Sequence, residues 1–202
     1  AVVMLGDVLR GKERFAEAAR EYDRAIQRIA TPAERHWSLY YTRGIAHERS
    51  KQWPKAEADF KRSLELSPDQ PSVLNYLGYS WVDRGENLGA ARRMIERAVD
   101  LRPNDGFIVD SLGWALYRLG QYEDAVVKLE RAIELQPDDP VINDHLGDAY
   151  WRVGRINEAR FQGRRSLGLK PEAEAKTTIE KKLLQGLPPP TPVPGVRAAQ
   201  GG

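Results

Sequence analysis

The sequence predicts an all-α protein, a solenoid of stacked helical hairpins, and three observations carry that prediction. A glycine recurs at Gly44, Gly78, Gly113 and Gly147, at spacings of 34, 35 and 34 residues, with an earlier copy at Gly6. Small residues keep the same phase at Ala18, Ala56, Ala91, Ala125 and Ala159, and Tyr22, Phe60, Ile95, Leu129 and Gly163 follow each of them four residues later. Pro68, Pro103, Pro137 and Pro171 close four of the units. An ordinary helical bundle would also show amphipathic helices, but it would not need Gly, Ala and Pro at a fixed period.

The units follow in order as 1–30, 36–69, 71–105, 106–139 and 140–171. The first opens within an amphipathic pattern, without its leading turn or an initiator Met. It reads as the start of a fragment whose targeting segment and further repeats lie outside the sequence. The glycine of the second lies 38 residues after that of the first because Thr31-Pro32 marks a longer loop. The third carries one extra residue near Glu86-Asn87-Leu88-Gly89, a turn between two helices. The fourth is the clearest. Val109, Leu112 and Leu116 make one apolar face of a first helix, which ends at Leu119-Gly120 because glycine takes the left-handed conformation readily. Ala125, Leu129 and Ala132 face it from a second helix, stopped at Gln136-Pro137. Asp138-Asp139-Pro140 then turns the chain and caps the next helix. The fifth departs from the pattern at Gly163, where a large residue is expected, and Gly168 follows. Each glycine costs its helix on the order of 1 kcal/mol relative to Ala, and the gap at Gly163 is expected to be filled by Leu183 or Leu184. Residues 172–186 read as a terminal helix covering the exposed end of the array, with Ile179, Leu183 and Leu184 on its apolar side and Lys176, Glu180, Lys181 and Lys182 facing water. Residues 187–202 are a Pro-rich tail favouring extended polyproline structure, either a linker or a strip that docks in a groove.

Composition excludes several function classes. The 202 residues contain no cysteine, hence no disulfide framework, thiolate metal site or cysteine nucleophile. Lys plus Arg number 31 against 29 for Asp plus Glu, so no basic field argues for nucleic acid. No apolar stretch approaches the roughly 18 residues of a membrane span. The three histidines, His36, His47 and His145, form no metal-ligand spacing. His47 falls in a core column, and His36 and His145 are expected at helix edges. Phosphate loops and nucleophile elbows are missing too. No catalytic residue, metal or cofactor is expected.

The pattern Leu-Gly-x-x-Leu/Tyr…Gly-x-Tyr…Ala…Ala…Pro, plain from Leu112 to Pro137, resembles the tetratricopeptide repeat family over about residues 1–172. The phrases "YLGYSWVDRG", "MIERAVDLRPND", "DSLGWALYRLGQYEDAVVKLERAIEL" and "HLGDAYWRVGR" resemble, more narrowly, bacterial envelope proteins of that family. Among these is an outer-membrane lipoprotein that partners a carboxyl-terminal processing protease. The resemblance implies a right-handed superhelix whose first helices line a concave groove that binds a protein or peptide, without catalysis. It also implies a bacterial periplasmic location, with the cytoplasm as the alternative.

By column, that groove would be lined three residues before each glycine by Tyr41, Asn75, Asp110 and Asp144. One residue after it come Tyr79, Trp114 and Asp148, four after it Tyr117 and Trp151, and at the rim Arg118 and Arg152. Large rigid aromatics are recurrent binding anchors. Packing between repeats is the competing reading for Trp114 and Trp151. The acidic members favour a ligand with apolar and some basic character. An interaction scaffold is the first expectation. The alternatives are a self-associating module, forming a homo-oligomer, and a regulatory domain cut from a larger enzyme.

Overall fold

A computed structural model describes residues 2–190. Among them the chain forms eleven α-helices and one 3-10 turn, and no strand. It divides into two compact units at Leu77/Gly78. The first holds α1 (Val2–Gly11), α2 (Phe15–Ile26), the 3-10 turn Glu34–His36, α3 (Trp37–Arg49) and α4 (Trp53–Leu66). The boundary falls within α5 (Pro71–Arg84). The second unit continues with α6 (Leu88–Leu101), α7 (Gly106–Arg118), α8 (Tyr122–Leu135), α9 (Pro140–Arg152), α10 (Ile156–Gly168) and α11 (Ala173–Gln185).

Each hairpin closes on the glycine column. A Cβ at Gly6 would lie 2.5 Å from the Tyr22 ring, at Gly44 2.6 Å from Phe60, at Gly78 2.7 Å from Ile95 and at Gly113 2.5 Å from Leu129. First and second helices therefore approach so closely that no side chain fits at these positions, and the large residue of the second helix takes the space. Tyr22, Phe60, Ile95 and Leu129 are fully buried there.

Helix ends follow local chemistry. The Asp105 carboxylate accepts the N–H groups of Phe107 (3.2 Å) and Ile108 (3.3 Å) at the start of α7. Asp139 does the same for Val141 (2.9 Å) and Ile142 (3.0 Å) at the start of α9. Seven residues after each column glycine the chain turns in the left-handed region, at Gly85 (φ 70°), Gly120 (78°) and Gly154 (80°). Glu13 (58°) and Lys51 (61°) hold the same conformation in the first two hairpins, against the crowding that a Cβ brings there.

At Gly163 the gap is filled from α11. A Cβ there would lie 3.1 Å from Leu183 Cδ2 and 3.8 Å from Ile179 Cγ2. Leu183 is thus the filling residue. Leu184, expected on the same apolar side, is instead 83% exposed. Lys182, expected in water, turns inward, because it lies three residues after Ile179 and shares its face. Of the Pro-rich tail, residues 187–190 are described and 191–202 lie outside the described residues.

Candidate functional site

In the first unit, Tyr41 of α3 joins an aromatic group, with ring centroids 6.2 Å from Trp37, 6.1 Å from Phe60 and 6.0 Å from Tyr76. Tyr76 donates to Glu48 (3.1 Å), and burial, then Glu48, pushes its hydroxyl pKa up. Asn75 is half-buried, and its Oδ1 has no hydrogen-bond partner among the described residues. Elsewhere in this unit Arg43 bridges Asp59 (Nε, 2.8 Å) and Asp23 (Nη1, 2.7 Å), a structural ion pair beside the buried His47.

The second unit brings more of the expected residues together. On α7, Trp114 and Tyr117 stack with centroids 4.7 Å apart and planes 7° from parallel. Both rings are half-buried. Trp114 also stacks on His145 of α9 at 4.2 Å and 11°, which is the inter-repeat packing that competed with a binding role. Its indole nitrogen has no partner among the described residues. Arg152 donates from Nε to the Tyr117 hydroxyl (3.1 Å), and Arg118 donates from Nη1 to the Asp83 carbonyl (3.1 Å). Burial, then Asp110 and Asp83, raises the Tyr79 hydroxyl pKa.

His145 is a correction. It is buried, and its Nδ1 lies 3.0 and 3.1 Å from the two oxygens of the buried Asp110. Burial lowers the imidazole pKa, but Asp110, with Asp144 and Asp148 behind it, outweighs that and raises it. Asp110 therefore spends its charge on His145.

Asp144 and Asp148, one turn apart on α9, converge on the Lys182 ammonium. The distances are 3.0 and 2.8 Å to Asp144 and 2.8 Å to Asp148, and the Lys182 side chain is 17% exposed. Burial lowers the Lys182 pKa, and the two carboxylates more than restore it. Burial raises that of Asp148, Lys182 counters and Asp144 adds to it, leaving it at about 6. One ammonium serves two carboxylates, and the more buried of them, Asp148, holds its proton more readily than a free carboxylate does. Trp151 and Arg152 continue the same face. A Cβ at Gly186 would lie 3.2 Å from the Trp151 indole, and Arg152 Nη2 donates to the Pro188 carbonyl (2.6 Å).

His145 and Lys182 are the residues that sequence reasoning missed. A signal for His145 existed. Contacts between successive first helices recur at a separation of 35: Asp110 with His145, Tyr117 with Arg152 and Tyr41 with Tyr76, where the glycines are 34 apart, and Asp83 with Arg118, where they are 35 apart. Adding 35 to each inner residue finds its neighbour. In the second unit these helix faces present flat rings, carboxylates and guanidinium groups. Ser111, next to the Asp110–His145 pair, donates to the Phe107 carbonyl and not to the imidazole. No group of three or more metal-ligating side chains occurs among the described residues, and no helix there is long and apolar enough to cross a membrane.

Comparison with known proteins agrees with the repeat geometry. A tetratricopeptide repeat model matches residues 3–71 and 41–106, and a TPR repeat model matches 113–154. A TPR repeat-containing protein of Pseudomonas aeruginosa is 39% identical over 88 residues, which is 44% of this chain and 15% of that protein. The match thus spans a small part of that relative. Among solved structures, a thermophilic TPR protein of Thermus thermophilus superposes with a TM-score of 0.71 at 20% identity, covering 91% of this chain and 97% of that one. MamA from Desulfovibrio magneticus gives 0.72 at 19%, covering 84% and 93%. YrrB, described as a TPR protein with an unusual peptide-binding site, gives 0.66 at 18%, covering 89% and 90%. At these identities the superpositions speak for the fold, an α-solenoid of stacked hairpins. With the family pattern matched across more than half its length and four of the five column glycines seated against the large residue of the second helix, the chain belongs to the tetratricopeptide repeat family.

Proposed function

We propose that this protein is a non-catalytic interaction scaffold that binds an extended protein segment on the first-helix faces of its second unit, through Tyr79, Trp114 and Tyr117 edged by Arg118 and Arg152. The observation that carries this is the Trp114–Tyr117 stack, half-buried and already held flat by His145 and Arg152. Aromatics fixed before binding lose little rotamer freedom when a ligand arrives. The peptide-binding description of YrrB supports the reading by fold analogy. Similarity of residues 75–171 to envelope proteins supports a finer version: a periplasmic adaptor, tethered at the outer membrane, that presents substrates to a processing protease or assembly complex.

The test is a cross-linking pull-down comparing wild type with Tyr79→Ala/Trp114→Ala, with helicity and thermal midpoint checked in parallel. Loss of specific partners from a folded variant is expected. Equal capture by both proteins would remove the assignment while leaving the fold intact.

Self-association is the second reading, favoured by one observation. Helix α1 exposes Val3, Met4, Leu5 and Val8, and a cluster of exposed apolar side chains is the kind of surface that joins protein chains. Light scattering across a concentration range reads it directly. A species that stays monomeric when concentrated would remove it.

A further inference from the structure

We infer that α11 and the turn through Gly186 to Pro188 act as an internal ligand on α9. In this role they occupy the place of a partner protein segment that presents a lysine, with leucine next to it and a small residue four positions on. The inference rests on the reading of these helix faces as a segment-binding surface, and extends it to the last repeat.

The receptor side is a single stripe of α9. Asp144, Asp148, Trp151 and Arg152 lie at successive turn spacings, so their side chains share one face. All four belong to the columns expected to contact a ligand. Each is matched by a feature of the chain's own C-terminal segment. The Lys182 ammonium sits between Asp144 and Asp148. Leu183 enters the gap left by Gly163. Gly186 lies against the Trp151 indole with φ 85°, ψ 167°, a conformation open to glycine almost alone, where any side chain would also meet the ring. The Pro188 carbonyl accepts from Arg152. Ammonium, apolar side chain, small residue and backbone carbonyl together define what this face recognises.

The occupant is lightly held. Of the thirteen residues of α11 only Ile179 is buried, and Leu184 is 83% exposed. Elements with few buried apolar contacts open at low free energy. The charge arrangement decides what can replace the segment. Opening alone leaves Asp144 and Asp148, two like charges one turn apart on α9, without the cation between them, whereas a second cation arriving at the same place restores the pairing. The Asp110–His145 pair next to them supplies no net positive charge, since protonated His145 is matched by Asp110. A lysine-bearing segment therefore displaces α11, while an acidic or purely apolar one does not.

The test uses the full 202-residue chain and, as probe, a fluorescein-labelled peptide of its own residues 173–190. Lys182→Ala/Gly186→Ala frees the face without altering any residue on it. That variant is expected to bind the peptide at least ten-fold more tightly than wild type does. Asp144→Asn/Asp148→Asn added to it, or Lys182→Glu in the peptide, should abolish the binding. Equal affinity for wild type and the freed variant, absence of binding to both, or indifference to the Asp→Asn changes each overturns the inference. So does a dimer in which α11 is exchanged between copies, which would assign the face to a second chain. Amide exchange on wild type is the second measurement, independent of whether the variant folds. Amides of α11 should exchange well ahead of those of α9 and α10, and exchange in one common event overturns the inference. The peptide assay reads the same whether or not any partner is captured through Tyr79 and Trp114, so the two readings fail separately.

Discussion

At the scale of single residues, His145 shows how a repeat converts a surface-type side chain into a core one. Its imidazole lies under Trp114 and against Asp110, and its pKa is raised although burial opposes this. The linkage has a definite sign. A base whose folded pKa exceeds its unfolded value, about 6.5 for histidine, contributes its full stability below that value, and the contribution is lost as pH rises through the folded pKa. Asp148 acts in the same direction. At about 6 in the folded chain against an unfolded value near 3.9, it holds a proton that the unfolded chain has released, so stability falls between about pH 4 and 6. His47 in the first unit works the other way, because burial lowers its pKa. The clean measurement is therefore the urea midpoint of wild type minus that of His145→Gln from pH 5.5 to 8, with the His145 ring titration followed by NMR. The difference should shrink as pH rises. A constant difference, or a ring pKa below 6.5, would show that Asp110 does not hold the charged imidazole.

At the scale of elements, the glycine and large-residue columns explain both the regular hairpins and the one exception. In four hairpins the second helix fills the space opposite the glycine with its own side chain. In the fifth, a Cβ at Gly147 would meet the α10 backbone, 3.3 Å from the Ala159 carbonyl and 3.6 Å from the Gly163 nitrogen, and α11 supplies Leu183 from outside the pair. Replacing Gly163 sets two effects against each other. Helix propensity gains about 1 kcal/mol on removal of glycine, but a leucine there would collide with Leu183, and overpacking costs about 1–3 kcal/mol. Gly163→Leu should therefore lower overall stability by about 1 kcal/mol, read by urea unfolding, and should loosen α11, read by faster amide exchange over 173–185. A stabilised variant with α11 protection intact would mean that the gap is in fact empty. The filling of this gap was legible in the sequence because a missing large residue in a periodic column must be compensated. Which leucine fills it, and that Lys182 follows it inward, was not, because a rotation by one residue, about 100°, exchanges the sides of a short helix with few apolar residues.

For the whole molecule, the period is what made the fold readable. Every hairpin repeats the same three constraints, so five weak signals become one strong one, whereas a site residue occurs once and has no column to average over. That is why the aromatics of α7 could be placed on a face while the burial of His145 against Asp110 could not. The same repetition makes coupling short-ranged, since stability in such arrays is a sum of hairpin and nearest-neighbour terms. Gly113→Ala tests this. Its Cβ would lie 2.5 Å from Leu129 Cγ and 3.3 Å from the Leu129 backbone nitrogen, so α7 and α8 must separate. The cost belongs with close-packed cores forced apart, about 1–3 kcal/mol. Native-state hydrogen exchange should show protection falling most in α7 and α8, less in α6 and α9, and unchanged in α1 to α4. Uniform loss of protection along all eleven helices would mean that the chain unfolds as a single cooperative block. The last repeat could then not open on its own, and a partner would have to bind the array with α11 in place.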